Sequence, residues 1–140
     1  MSQTNELEIM ERIALDLERV EESLASSFNT GAEDFNALIR PLSAAGGKRL
    51  RAQLCLLIAN AGTSIERQRI KIAEAVEMLH LATLIHDDVL DQAEIRRGED
   101  TIHMHKGNKV AILSGDYLFA KAFKIVSEMT NMKYLQVFSH

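Results

Sequence analysis

Val76-Glu77-Met78-Leu79-His80-Leu81-Ala82-Thr83-Leu84-Ile85-His86-Asp87-Asp88-Val89-Leu90-Asp91 is the stretch whose reading decides this chain. It holds no Gly or Pro. Its apolar residues, among them Val76, Met78, Leu81, Leu84, Ile85 and Val89, fall on more than one helical face, so it reads as a helix surrounded by other helices. Asp87 and Asp91 leave such a helix on one side, one turn apart, with Asp88 three residues before Asp91. Like charges at these spacings disfavour a helix by roughly 0.2–0.5 kcal/mol per pair, and an ordinary surface would separate them or interleave lysines. A divalent cation removes the conflict. Mg²⁺ accepts hard oxygen ligands, uses one or two carboxylates and completes its shell with water and phosphate oxygens. His80 lies within about 20° of the Asp87 and Asp91 directions. A polar stripe of His80, Thr83, Asp87 and Asp91 on an otherwise apolar helix implies a wet cavity. Without that stripe, the aspartates would read as a solvated acidic helix end.

A second cluster, Gly46-Gly47-Lys48-Arg49-Leu50-Arg51, opens a helix predicted to run to about Ala61. Cations in a first turn sit at the positive end of the helix dipole, where acidic residues are favoured. Placed after a Gly pair, they suit an anion site on which free N–H groups and basic side chains converge. Gly-Gly is by itself a weak signal, and alone it would read as a helix start beside solvated basic residues. With the aspartates, the two clusters describe opposite sides of a cavity that handles a diphosphate.

These motifs, together with Arg96-Arg97-Gly98 and Leu113-Ser114-Gly115-Asp116-Tyr117-Leu118, resemble those of the trans-type polyprenyl diphosphate synthases. The resemblance runs from about residue 6 to the last residue, and is greatest to bacterial long-chain, octaprenyl-forming members that make quinone side chains. It implies an all-α, isoprenoid-synthase-type helical bundle, of which residues 1–140 are a single all-helical N-terminal portion. It also implies condensation of isopentenyl diphosphate onto an allylic prenyl diphosphate with Mg²⁺ as cofactor. Carried over residue by residue, Asp87 and Asp91 are the implied Mg²⁺ ligands, and Asp88 completes the catalytic aspartate motif. Lys48, Arg51, His80 and Arg97 are the implied isopentenyl diphosphate contacts, and Arg96 an allylic diphosphate contact. Ala82 and Thr83, five and four residues before Asp87, are implied to help set product length; both are small, which predicts a medium- or long-chain product.

The chain departs from the family pattern at Ala52 and Asp100, where Pro is usual, and at Lys106, a commonly aromatic position. The loop from Gly98 to Asn108 is therefore where its shape is expected to differ. Family members are longer, and their second aspartate motif lies past the last residue here. The expectation is that the chain is truncated within a helix begun at Met132 and is inactive alone. The resemblance further implies a homodimer through the helices around residues 108 to 129, with a heterodimer as the alternative.

Composition fits this picture. The chain has 140 residues, 46% of them hydrophobic, with one Pro and seven Gly, a balance that favours long helices. A net charge of −4 argues against a nucleic-acid binder and makes the basic cluster a local site. The lone Cys55, between Leu54 and Leu56, reads as a buried thiol in a reducing, cytoplasmic compartment. No apolar run is long enough for a transmembrane segment, and the acidic N-terminus lacks a signal-peptide pattern.

Apolar residues from Leu7 to Leu24 recur at three and four and predict a first helix to about Ser27. A second is predicted from Asp34 to Arg40, ended by Pro41. Thr63 and Glu66 form a capping box for the aspartate helix. Arg96 to Gly107 reads as a polar loop, followed by a buried helix from about Asn108 to Met129 in which Gly115 permits close approach.

Two other readings remain open. His86-Asp87 matches the metal doublet of HD-type phosphohydrolases, with His103 and His105 as further ligands, but leaves Asp91, Arg96, Arg97 and the Lys48 cluster unexplained. A non-catalytic helical subunit would bind diphosphate without turnover.

Overall fold

The structure, a computed structural model, describes residues 3–44, 47–62 and 65–129, with positions 133 and 137. Six helices and one two-residue hairpin make up the described residues: α1 Gln3–Ser27, α2 Glu33–Ala44, α3 Leu50–Ala61, α4 Glu66–Leu90, β1 Ile95–Arg96, β2 Glu99–Asp100, α5 Ile102–Lys106 and α6 Asn108–Ser127. The all-α expectation holds.

α4 is the axis of the fold. It packs against α1, α3, α5 and α6, and Ala73, Ala75, Met78, Leu81, Ala82 and Ile85 all lie in the core. That spread of buried positions exceeds one helical stripe, as its two-sided apolar pattern requires. Val20 and Leu24 of α1, Phe28 just after it, Leu56 of α3 and Leu118, Ala122 and Val126 of α6 fill the space around it. α1 follows the predicted period, although Leu7 and Met10 in its first turns are exposed.

Buried charge is also organised on α4. Glu74, fully buried, accepts hydrogen bonds from Ser23 and Ser27 of α1 and pairs with Lys71. Asp16 of α1 is buried against the Arg69 guanidinium and the Asn60 amide. Burial raises the Asp16 pKa, but the hydrogen bonds and charge of Arg69, with Asn60, outweigh it and hold the carboxyl below its ordinary range.

Four local expectations need correction. α2 continues through Pro41 to Ala44; Leu38 and Leu42, one turn apart, both pack on the core and offset the hydrogen bond that proline cannot make. α4 begins at Glu66 with Ile65 at its N-cap and no side-chain cap, while Thr63 of the expected capping box lies outside the described residues. The basic cluster precedes its helix: α3 starts at Leu50, so only Arg51 of the three cations lies in the first turn.

The supposed loop from Arg96 to Gly107 is the fourth, being a hairpin followed by α5. Arg97 and Gly98, with φ of 54° and 86°, form its two-residue turn. Positive φ at both positions matches the twist of antiparallel strands. Thr101 closes the hairpin, its N–H bonding Glu94 O and its hydroxyl bonding Ala93 O at 2.8 Å. The expected helix from Met132 lies outside the described residues apart from Lys133 and Val137, which are helical.

Candidate diphosphate and metal site

The side of α4 left open by its neighbours carries the predicted polar stripe. Thr83, Asp87 and Asp91 are exposed and His80 is half-buried. Asp87 and Asp91 stand at the C-terminal end of the helix, where the dipole is negative and adds to their mutual repulsion. Two oxygen donors one turn apart, open to solvent, fit the coordination habit of Mg²⁺. Among the described residues, no three His, Cys, Asp or Glu side chains gather into a metal cluster. That is compatible with a cation held by two carboxylates, water and ligand phosphate.

Asp88 does not share this patch. Its carboxylate is buried, and Arg96 Nε donates to its two oxygens at 2.8 and 2.9 Å while Nη2 stands 2.7 Å away. The hydrogen bond to Asp88 raises the Arg96 pKa, opposed by burial and helped by Asp87 and Asp91. The three-carboxylate cluster thus resolves into an exposed pair and one carboxylate that fixes a guanidinium beside it.

On the basic side, Gly47, Lys48, Arg51, His80 and Arg97 border one cavity of about 210 Å³ between α3 and α4, floored by Arg49, Glu77, Leu81 and Leu84. Arg51 Nη1 lies 3.3 Å from His80 Nε2. A guanidinium only donates, so this imidazole nitrogen accepts. Burial lowers the His80 pKa, Arg51 adds to it, Glu77 opposes it, and Arg97 and Arg96 lower it further. A Cβ on Gly47 would stand 3.2 Å from Arg97 Nη2, so a larger residue there would crowd the guanidinium. Gly46 lies outside the described residues. Seven residues of helix separate His80 from Asp87, about 10 Å along the axis, so cations and carboxylates mark two ends of one face.

Ala82 and Thr83 diverge. Ala82 is fully buried on the side of α4 that carries His86 one turn later, whereas Thr83 lines an open cavity with Arg51, Val76, Leu79 and His80. The Thr83 hydroxyl donates to His80 O at 2.7 Å.

The histidines of the phosphohydrolase reading have other partners. His86 Nε2 lies 3.1 Å from Ile112 O, with that edge of the ring against Gly115 of α6. His103 Nε2 lies 2.7 Å from Ala93 O, and His105 is exposed near Asp100. Cys55 is half-buried, and burial pushes its thiol pKa up, away from nucleophilic use.

Arg49, one of the three predicted anion-site cations, and Glu77, which the sequence reading gave no role, instead brace the cavity from its floor. Arg49 points inward to Glu21, Ser43 O and Glu77, and Glu77 also accepts the Ala52 N–H. Burial lowers the Arg49 pKa, but the Glu21 and Glu77 carboxylates reverse this and hold it above its ordinary value. The available signal was Glu77 itself, a carboxylate flanked by Val76 and Met78 on a largely apolar helix.

A family model described as polyprenyl synthetase matches residues 32–140, and the chain belongs to that family. It is 33% identical over 137 residues to solanesyl diphosphate synthase 1, chloroplastic, of Arabidopsis thaliana, covering 94% of this chain and 34% of that protein. It is likewise 33% identical over 131 residues to octaprenyl diphosphate synthase of Escherichia coli K12, covering 94% of this chain and 41% of that one. Among solved structures, a polyprenyl synthase from Caulobacter crescentus CB15, complexed with calcium and isoprenyl diphosphate, superposes with a TM-score of 0.86 at 36% identity. That match covers 94% of this chain and 40% of the other. The chain therefore spans between a third and a little over two-fifths of the length of these relatives. Among the described residues, no helix is long and apolar enough to cross a membrane.

Proposed function

We propose that this chain supplies the diphosphate- and metal-binding half-site of a polyprenyl diphosphate synthase, which condenses isopentenyl diphosphate onto an allylic diphosphate. The observation that carries the reading is the single open face of α4, with Asp87 and Asp91 at one end and the cavity of Lys48, Arg51, His80 and Arg97 at the other. A relative crystallised with a divalent cation and isoprenyl diphosphate supports it.

In this reading Asp87 and Asp91 hold Mg²⁺, which supplies positive charge to the leaving diphosphate oxygens. Arg96, fixed by Asp88, faces the same leaving group. The allylic C–O bond breaks with its electron pair on diphosphate, the alkene carbon of isopentenyl diphosphate attacks the cation, and loss of a proton restores a double bond. Lys48, Arg51, His80 and Arg97 hold the second diphosphate, Arg51 and Arg97 by planar donor pairs suited to phosphate oxygens. Leu81 and Leu84 line the apolar side of that cavity, where exclusion of water protects the cation.

Equilibrium binding of an allylic diphosphate with and without Mg²⁺ tests this. Asp87→Ala and Asp91→Ala are each expected to weaken Mg²⁺-dependent binding about a hundredfold and leave Mg²⁺-independent binding little changed. Wild-type affinity in both variants would refute the metal assignment.

A further inference from the structure

Arg49 stands between two cations assigned to the anion site, yet takes no part in it. Its backbone is left-handed, with φ of 48° and ψ of 35°, a conformation that costs free energy for any residue with a Cβ. Such strain persists only where surrounding contacts fix it. Here Nε donates to Glu21 Oε1 at 2.5 Å, Nη2 to Glu21 Oε2 at 3.1 Å and to Ser43 O at 2.6 Å, and Nη1 to Glu77 Oε2 at 3.4 Å. One guanidinium therefore ties the turn before α3 to α1, α2 and α4. The Glu77 carboxylate, 4% exposed, also accepts the Ala52 N–H at 3.0 Å. A proline at position 52 would have no such hydrogen to give. Gln53 completes the pinning, with its N–H bonded to Arg49 O and its side-chain amide to Lys48 O.

We propose that Arg49 and Glu77 are positioning residues: the Glu21–Arg49–Glu77 clasp fixes residues 48–52 in the strained turn that presents Lys48 and Arg51 to the cavity shared with His80 and Arg97. This rests on the diphosphate reading of that cavity. The clasp sets which way the flanking side chains leave the chain, because a left-handed residue turns the backbone sharply between Lys48 and Leu50. It also puts a negative carboxylate at the floor of an anion site, an arrangement unfavourable for binding by charge alone.

That last point gives an experiment with opposite signs. Glu77→Gln keeps the shape and an acceptor for the Ala52 N–H but removes the charge that holds Arg49. Coulombic attraction alone predicts tighter binding of inorganic pyrophosphate, since a negative charge near it is gone. The clasp predicts binding about tenfold weaker, the size of one lost charge-assisted hydrogen bond. Titration calorimetry with inorganic pyrophosphate, without metal, is paired with amide hydrogen exchange at Ala52 and Gln53.

Glu77→Gln and Arg49→Lys are both expected to weaken binding and speed that exchange, the lysine failing because it cannot reach three separated acceptors. Lys48→Ala is expected to weaken binding with exchange unchanged. Tighter or unchanged binding in a folded Glu77→Gln protein, or full affinity in Arg49→Lys, would overturn the clasp. Absence of pyrophosphate binding by the wild-type protein would overturn the anion-site reading, and the clasp with it, before any variant is compared.

Discussion

Gly115 is the seat of His86: a Cβ at position 115 would stand 2.2 Å from His86 Nε2 and 2.4 Å from its Cδ2. The Nε2 edge of the imidazole meets the α6 backbone, 3.1 Å from Ile112 O, with the ring tilted against Phe119. This contact brings α4 and α6 together immediately before the aspartates. Glycine costs roughly 1 kcal/mol relative to alanine inside a helix, and here the close approach explains its presence.

Gly115→Ala must therefore push the ring away, break its bond to Ile112 O and pry α4 from α6. Overpacking of this kind costs about 1–3 kcal/mol, which outweighs the gain in helix propensity. Thermal unfolding is expected to show a lower midpoint, partly recovered in a Gly115→Ala/His86→Ala double variant. An unchanged or raised midpoint in the single variant would contradict the packing argument.

Thr83 and Ala82 are expected to respond differently to enlargement. Thr83→Tyr projects into the open cavity beside Leu79 and His80; in a full-length synthase of the proposed function it should shorten the polyprenyl product while leaving the fold intact. Ala82 is fully buried, so Ala82→Tyr should cost about 3 kcal/mol or more in stability. Product chromatography and denaturant unfolding separate the two. A stable Ala82→Tyr protein, or unaltered products from Thr83→Tyr, would count against this division.

If the proposed diphosphate site is right, His80 should make binding pH-dependent. In the free protein burial lowers its pKa from 6.5, Arg51, Arg97 and Arg96 add to this, and Glu77 only partly opposes it. A bound polyanion raises that pKa, so the complex holds more protons than the free protein just below the ordinary imidazole value. Affinity should rise as pH falls through that window. Comparing wild type with His80→Gln cancels the ligand's own ionisation. The extra pH dependence should vanish in the variant, and parallel profiles would remove His80 from the site.

Asp16 contributes acid sensitivity. Although burial raises its pKa, Arg69 and Asn60 bring it below its ordinary value of 3.8. The folded form thus binds this proton less readily than the unfolded chain, so the stabilisation is present above the unfolded pKa and lost as pH falls through the folded one. Asp16→Asn should be less stable than wild type near neutrality, with the gap narrowing in acid. A constant gap across that range would show that the carboxylate charge is not what stabilises.

The sequence by itself determined the five longer helices, though not all of their ends, and which side chains share one face of α4. Helical spacing places Asp87, Asp91, His80 and Thr83 on one side wherever the helix lies, because the direction in which a side chain leaves a helix is a local property. The same locality made α1 and α6 legible almost to their ends. The Arg97-Gly98 turn was half visible, since glycine marks positive φ but arginine does not.

Only the tertiary structure decided which sides of α4 are covered. Asp88 and Asp87 are adjacent, yet one is buried under Arg96 and the other is exposed. Ala82 and Thr83 differ in the same way. Arg49 is turned inward by Glu77, 28 residues away in the chain. Burial depends on which distant elements pack against a face, and the charge partners that make a buried group tolerable come from those elements. Periodicity within one segment carries no record of either.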